Sequence, residues 1–177
     1  MTLTLQLHSL LPPPLARASR DLLTRPTGVA VRMRIERAMA DAGSGMTLLD
    51  FEFVGILDFS CADEIVAKLL HLADTDRYVV LAGVDDVQAE AIHHVLERQQ
   101  LAILALPRGG GRRLLGLVTP DMEAVFDAAH RNGPGTAEAL AGHLDWAVER
   151  TANVLQSLAL RRLLVADGGT FTPLPLP

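Results

Sequence analysis

The chain has 177 residues, 49% hydrophobic and 21% charged, with a formal net charge of −5. That balance supplies a core for one ordinary domain, or a medium domain with a small appendage, and excludes global disorder. It gives no electrostatic ground for strong attachment to nucleic acid or acidic lipid.

Residues 2–7 alternate Thr and Leu with one Gln, the period of a half-buried strand, and Pro12-Pro13-Pro14 stops it. Residues 15–23 suit a short helix, and Arg25-Pro26-Thr27-Gly28 suits a turn. Val31, Ile35, Ala38, Met39 and Ala42 then recur at helical spacing up to Gly43-Ser44-Gly45. Residues 47–59 read as a buried strand carrying a turn-capable Gly55, and the next helix is expected to open at Ser60. On that helix Ile65, Val66, Leu69 and Leu70 share one face, with Glu64 and Lys68 on the other. A strand follows over 77–84, and Asp85-Asp86 can cap a helix running to about Gln100. Residues 101–106 and 114–118 are strands around a glycine loop, and Thr119-Pro120 opens a helix to about Arg131.

The expected fold class is therefore α/β: a mixed β-sheet with packed helices over residues 1–131. Asn132-Gly133-Pro134-Gly135 reads as a linker, residues 132–135. Residues 136–177 change pattern to helix, break near Leu144-Asp145-Trp146, helix, then a strand, an Asp167-Gly168-Gly169 turn and a strand. That order is a small winged helix-turn-helix domain.

A single cysteine, Cys61, excludes an internal disulfide framework and fits a reducing compartment. No apolar run reaches a membrane span, and residues 1–11 lack a basic start followed by an apolar stretch. A cytoplasmic protein with no membrane partner is expected.

Chemistry concentrates at Asp58-Phe59-Ser60, where a hydroxyl stands at a strand-to-helix junction. One reading makes Ser60 a plain helix cap, with Asp63 and Glu64 complementing the positive helix end. The other makes Ser60, with Asp58 and Asp63, a phosphorylation or partner-docking site. Cys61 at a helix start is either a small buried thiol or a redox sensor. His93 and His94 with Glu90 and Glu97 form either a solvated face or a metal site, and the solvated face is the better fit to the Ile92–Val95 stripe. Arg108, Arg112 and Arg113 around Gly109-Gly110-Gly111 form either a flexible hairpin loop or a contact for phosphate or an acidic partner. Trp146 suits core packing. No nucleophile elbow, His-Glu-x-x-His or dinucleotide fingerprint is present, so no catalytic residue, metal site or cofactor is nominated.

Arg25-Pro26-Thr27-Gly28, the Arg-rich helix after it, Leu49-Asp50-Phe51 and Ser60-Cys61-Ala62-Asp63-Glu64 together resemble the STAS-like family, relatives of anti-sigma-factor antagonists. The resemblance covers roughly residues 2–131 and is strongest over 25–70. In antagonists of that superfamily a Ser opening the helix after the central strand is phosphorylated by a partner kinase that is itself an anti-sigma factor. Ser60 is the matching position, although Phe59 precedes it and Cys61-Ala62 replaces the usual Ser/Thr-Gly. The resemblance implies a protein partner, an anti-sigma factor or histidine-kinase-like ATPase.

The C-terminal segment resembles the winged helix of bacterial transcription regulators, with Leu140, Ala141, Leu144, Thr151, Leu155, Leu158 and Leu163 at core positions. That resemblance places Glu149, Arg150, Asn153, Ser157, Arg161, Arg162 and the wing glycines Gly168 and Gly169 at a DNA interface, with Asn153 and Arg150 able to read bases. Cations are few there. The implied function is a non-enzymatic regulatory protein that couples a partner-binding domain to a winged helix acting in transcription, with a homodimer among its expected states. The alternative is a partner-switching module with Ser60 as phosphosite and no DNA binding.

Overall fold

A computed structural model describes residues 2–13, 20–43, 45–74 and 76–176. The chain divides into two compact units, Met1–Leu117 and Val118–Pro177.

The first unit is an α/β layer. Its five strands are β1 (Thr2–Gln6), β2 (Gly45–Asp50), β3 (Arg77–Val84), β4 (Ala102–Pro107) and β5 (Arg113–Gly116), adjacent in the order of the sequence. β1 to β4 are parallel and β5 returns antiparallel to β4 through the glycine loop. Three helices connect the parallel strands: α1 (Arg25–Ala42), α2 (residues 59–72) and α3 (Asp86–Arg98). Crossovers of one hand between sequential strands stack all three on one face of the sheet. The core follows from that layer. Leu49, Leu81, Ile103, Ala105 and Leu115 alternate along the strands toward Val31 and Ile35 of α1, Ile65 and Leu69 of α2, and Ile92 and Leu96 of α3. The intervening Leu48, Val80, Leu104 and Leu114 are buried as well, which explains why these strands read as continuous apolar runs.

Several expectations shift. The helix expected over 15–23 falls in part outside the described residues. Its described end is not helical: Arg20 takes a left-handed conformation at φ +58°, and Leu22 makes a parallel bridge to Leu57. Arg25-Pro26-Thr27-Gly28 is the first turn of α1, capped by the Thr24 hydroxyl accepting from Thr27 N at 3.4 Å, with proline where a helix tolerates it. The strand expected over 47–59 stops at Asp50. Beyond it, residues 51–58 form an ordered loop held by polar contacts: Gln88 Nε2 donates to the carbonyls of Val54 and Gly55 at 3.0 and 2.9 Å, and Asp58 N to Leu22 O at 2.9 Å. Gly83 must be glycine. Its φ is +65°, and a Cβ there would lie 2.9 Å from the Glu52 amide nitrogen.

The second unit runs α4 (Pro120–Asn132), β6 (Gly135–Thr136), α5 (Ala137–Leu144), α6 (Val148–Leu160), β7 (Leu164–Asp167) and β8 (Thr170–Pro173), with an antiparallel sheet in the order β6-β8-β7. Its boundary lies at 117/118, which moves α4 out of the first unit and places the expected linker inside the second. Asn132 ends α4 with its Nδ2 donating to Ala128 O at 2.7 Å, and Gly133 caps the helix at φ +79°. Gly135 and Thr136 pair with Phe171 and Thr170. The apolar stripe Met122, Val125, Phe126 and Ala129 of α4 packs on α5 and α6, a choice of partner that periodicity alone does not encode. Asp145 takes the left-handed conformation (φ +55°) between α5 and α6. Gly168 and Gly169 both have positive φ, the requirement of a tight type I′ turn between β7 and β8.

Candidate functional site

Asp58, rather than Ser60, caps α2. Its Oδ1 accepts from Cys61 N at 2.8 Å, and the Ser60 hydroxyl donates to Asp58 Oδ1 and Oδ2 at 2.9 and 3.1 Å. An Asp two residues earlier out-competes Ser for the cap because a carboxylate accepts more strongly. Ser60 is thereby left in the first turn, partly exposed, beside Phe59, which is 57% exposed. Both border an open depression of about 520 Å³ lined also by Arg25, Asp63, Val95, Arg98 and Gln99.

The floor of this corner is an ion network. α2 opens as α-helix (Phe59–Ala62), widens to π-helix over Asp63–Lys68 and returns to α over Leu69–Leu72. The wide turn rotates Glu64 off the outer face expected for it and toward α1, where it is 1% exposed. There Arg25 Nη1 reaches Glu64 Oε1 at 2.6 Å and Asp63 Oδ2 at 2.8 Å, Arg32 Nε reaches Glu64 Oε2 at 3.3 Å, and Lys68 Nζ pairs with Oε1. Burial alone would push the Glu64 carboxyl up. Hydrogen bonds from Lys68 and Arg25 outweigh it and hold the group below its ordinary range. Gln99 Nε2 donates to the other Asp63 oxygen and links α3 to the same network.

Cys61 is buried, and its Sγ–H donates to Thr24 O at 3.1 Å. Burial, then the nearby Asp58 charge, pushes the thiol up to about 12, the opposite of a redox-sensing thiol. His93 does not lie on a solvated face. It is half-buried, and its Nδ1 accepts from Gly116 N at 3.0 Å. His94 leans its ring against Phe59, with centroids 5.5 Å apart. No cluster of three metal-ligating side chains occurs among the described residues.

Arg108 turns away from its glycine loop and back onto the sheet, donating to Gly83 O at 2.9 Å and Phe51 O at 3.2 Å. It ties together the carboxyl ends of β2, β3 and β4. Arg112 and Arg113 remain exposed.

In the second unit α6 carries Glu149, Arg150 and Asn153 on its exposed side, with Ser157 half-buried. Arg150 is engaged within the unit. Its Nε and Nη2 donate to Asp121 Oδ2 and Oδ1 at 2.9 and 2.7 Å, and its guanidinium stacks 3.9 Å from the Trp146 ring centroid. The hydrogen bonds from Arg150 lower the Asp121 pKa. Trp146, expected in the core, is half-exposed and serves as the shelf for that arginine. Arg161 turns back onto α6, donating to Ser157 Oγ at 2.9 Å, and Arg162 takes a left-handed conformation at φ +58°. The Gly168-Gly169 turn between β7 and β8 is exposed and follows Asp167 rather than a cation.

Searches against family models, curated proteins and solved structures match nothing. The residues themselves must therefore carry any functional reading. Among the described residues no helix is long and apolar enough to cross a membrane. Sequence reasoning brought Asp58, Ser60 and Asp63 into one corner, and they do meet there. It missed Arg25, Arg32, Arg98 and Gln99, although an Arg-rich helix preceding an Asp-Glu pair was a usable signal.

Proposed function

We propose that this chain is a non-enzymatic cytoplasmic regulator whose STAS-like first unit docks a protein partner at the Phe59–Ser60 corner. The observation that carries the reading is an aromatic ring more than half exposed beside a reachable hydroxyl, at the edge of a depression lined by Arg25 and Arg98. Large aromatics are costly to leave in water and are enriched at contact surfaces. A phosphate on Ser60 would set new charge against Asp58 and within the reach of arginine side chains, so modification would reset docking. The partner of that chemistry is a kinase-like ATPase or anti-sigma factor. Capture of such an ATPase by the wild-type chain, lost with Ser60→Asp, tests the proposal. Equal capture by both contradicts it.

We infer that the second unit is a winged helix, a reading that the order of its elements and its tight Gly168-Gly169 turn support, and we assign it a second protein contact in a transcription pathway. Four arginines face seven carboxylates over residues 118–177. The arginine best placed for base reading is held by Asp121. Phosphate neutralisation needs free cations, so this surface suits protein better than a DNA backbone. The element order and the outward Asn153 favour a DNA contact as the second reading, tested by mobility shift over a salt series.

A further inference from the structure

The open edge of the main sheet has the pattern of a self-pairing strand. β1 is bonded only to β2 among the described residues, so one row of its backbone amides and carbonyls faces outward. The usual guards are missing. Thr2-Leu3-Thr4-Leu5-Gln6 contains no charge, proline or glycine, and no register shift interrupts its pairing with β2. The opposite edge is protected by contrast, since β5 begins at Arg113, follows Arg112 and a triple glycine, and ends at Gly116. Leu3 and Leu5 pack against the helix-covered core yet stay only partly buried, which leaves an apolar margin at the border of the layer.

We propose that β1 pairs antiparallel with β1 of a second copy of this chain, joining two five-stranded sheets into one. The strand's own symmetry selects the occupant. A two-fold axis through Thr4 sets Leu3 opposite the second copy's Leu5 on the core side, and Thr4 opposite Thr4 with Thr2 opposite Gln6 on the other. Apolar meets apolar, the Thr4 hydroxyls meet each other and the Thr2 hydroxyl meets the Gln6 amide, with no side-chain charge to repel. The extra pairing completes the outward backbone bonds and extends both cores across the seam. This dimer is independent of the proposed docking at Phe59 and survives if that proposal fails.

Light scattering after size exclusion on the full chain, across a concentration series, should give twice the 19.0 kDa chain mass. Thr4→Lys and Thr4→Glu each place like charges on the two-fold axis and should give monomers with unchanged far-ultraviolet circular dichroism. Mixing the two variants should restore the dimer, a rescue that a merely misfolded strand would not give. A wild-type chain that stays monomeric overturns the proposal. So does a dimer whose mass is unmoved by either charge, or a pair of variants that stay monomeric when mixed.

Discussion

Gly28 and Glu64 meet across the contact between α1 and α2, where a Cβ built on Gly28 would lie 3.0 Å from Glu64 Cβ and 3.1 Å from Cys61 Cα. This near-contact sets the spacing of the two helices that carry the arginines and the carboxylates of the candidate site. Neither neighbour is the far end of a flexible chain, so added bulk must push the helices apart. Gly28→Val should cost about 2 kcal/mol, as overpacking in a closed contact does, read as a lowered denaturation midpoint with an unchanged slope. An unchanged midpoint would mean that the helices slide freely there.

Glu64 makes stability depend on acid in a defined direction. Its folded pKa lies below the ordinary carboxylate value, so its contribution is fully present above the unfolded value of roughly 4.3 and is lost as pH falls through the folded value. Glu64→Gln should lower stability at neutral pH by roughly 2–3 kcal/mol, since Arg32 and Lys68 lose their carboxylate. It should also flatten the fall in stability between neutral pH and the acid range. Denaturant melts at several pH values give both numbers, and parallel pH curves for the two proteins would refute the network.

Cys61 should be inert in the native state. With its thiol pushed up to about 12, the thiolate fraction at mildly alkaline pH is some three orders of magnitude below that of an unfolded thiol. Iodoacetamide labelling should therefore be slow in buffer and fast in denaturant. Rapid labelling of the folded chain would show that Cys61 is accessible.

Mobility-shift titration with duplex DNA should show no shift even at low salt, for the wild type and Asn153→Ala alike. A complex that persists at physiological salt and is clearly weakened by Asn153→Ala would instead assign α6 to the major groove.

How far the fold could be read in the sequence depended on whether the deciding contact was local. β3 was legible because Tyr78 to Val84 is a continuous apolar run, and α3, α4 and α5 because Asp85, Thr119 and Thr136 are strong caps. The hairpin turn at Gly168-Gly169 was legible for the same reason. The π-helical turn was not, because nothing in Asp63-Glu64-Ile65 announces an extra residue in the turn, and so Glu64 was set on the wrong face. Allegiance of α4 to the second unit was hidden too, since an amphipathic stripe states that a face is buried but not by what. Asp58, Ser60 and Asp63 fall within one six-residue segment and were found together, whereas Arg25 and Gln99 reach Asp63 only through the tertiary fold.

Affinity capture from the native cell, with the wild-type chain and Phe59→Ala, Arg98→Ala and Ser60→Asp variants side by side, tests the docking surface most directly. The account predicts one kinase-like ATPase or anti-sigma factor retained in stoichiometric amount by the wild type and depleted by all three variants, each of which keeps the wild-type melting temperature. Retention of the same partner by all four chains would contradict it.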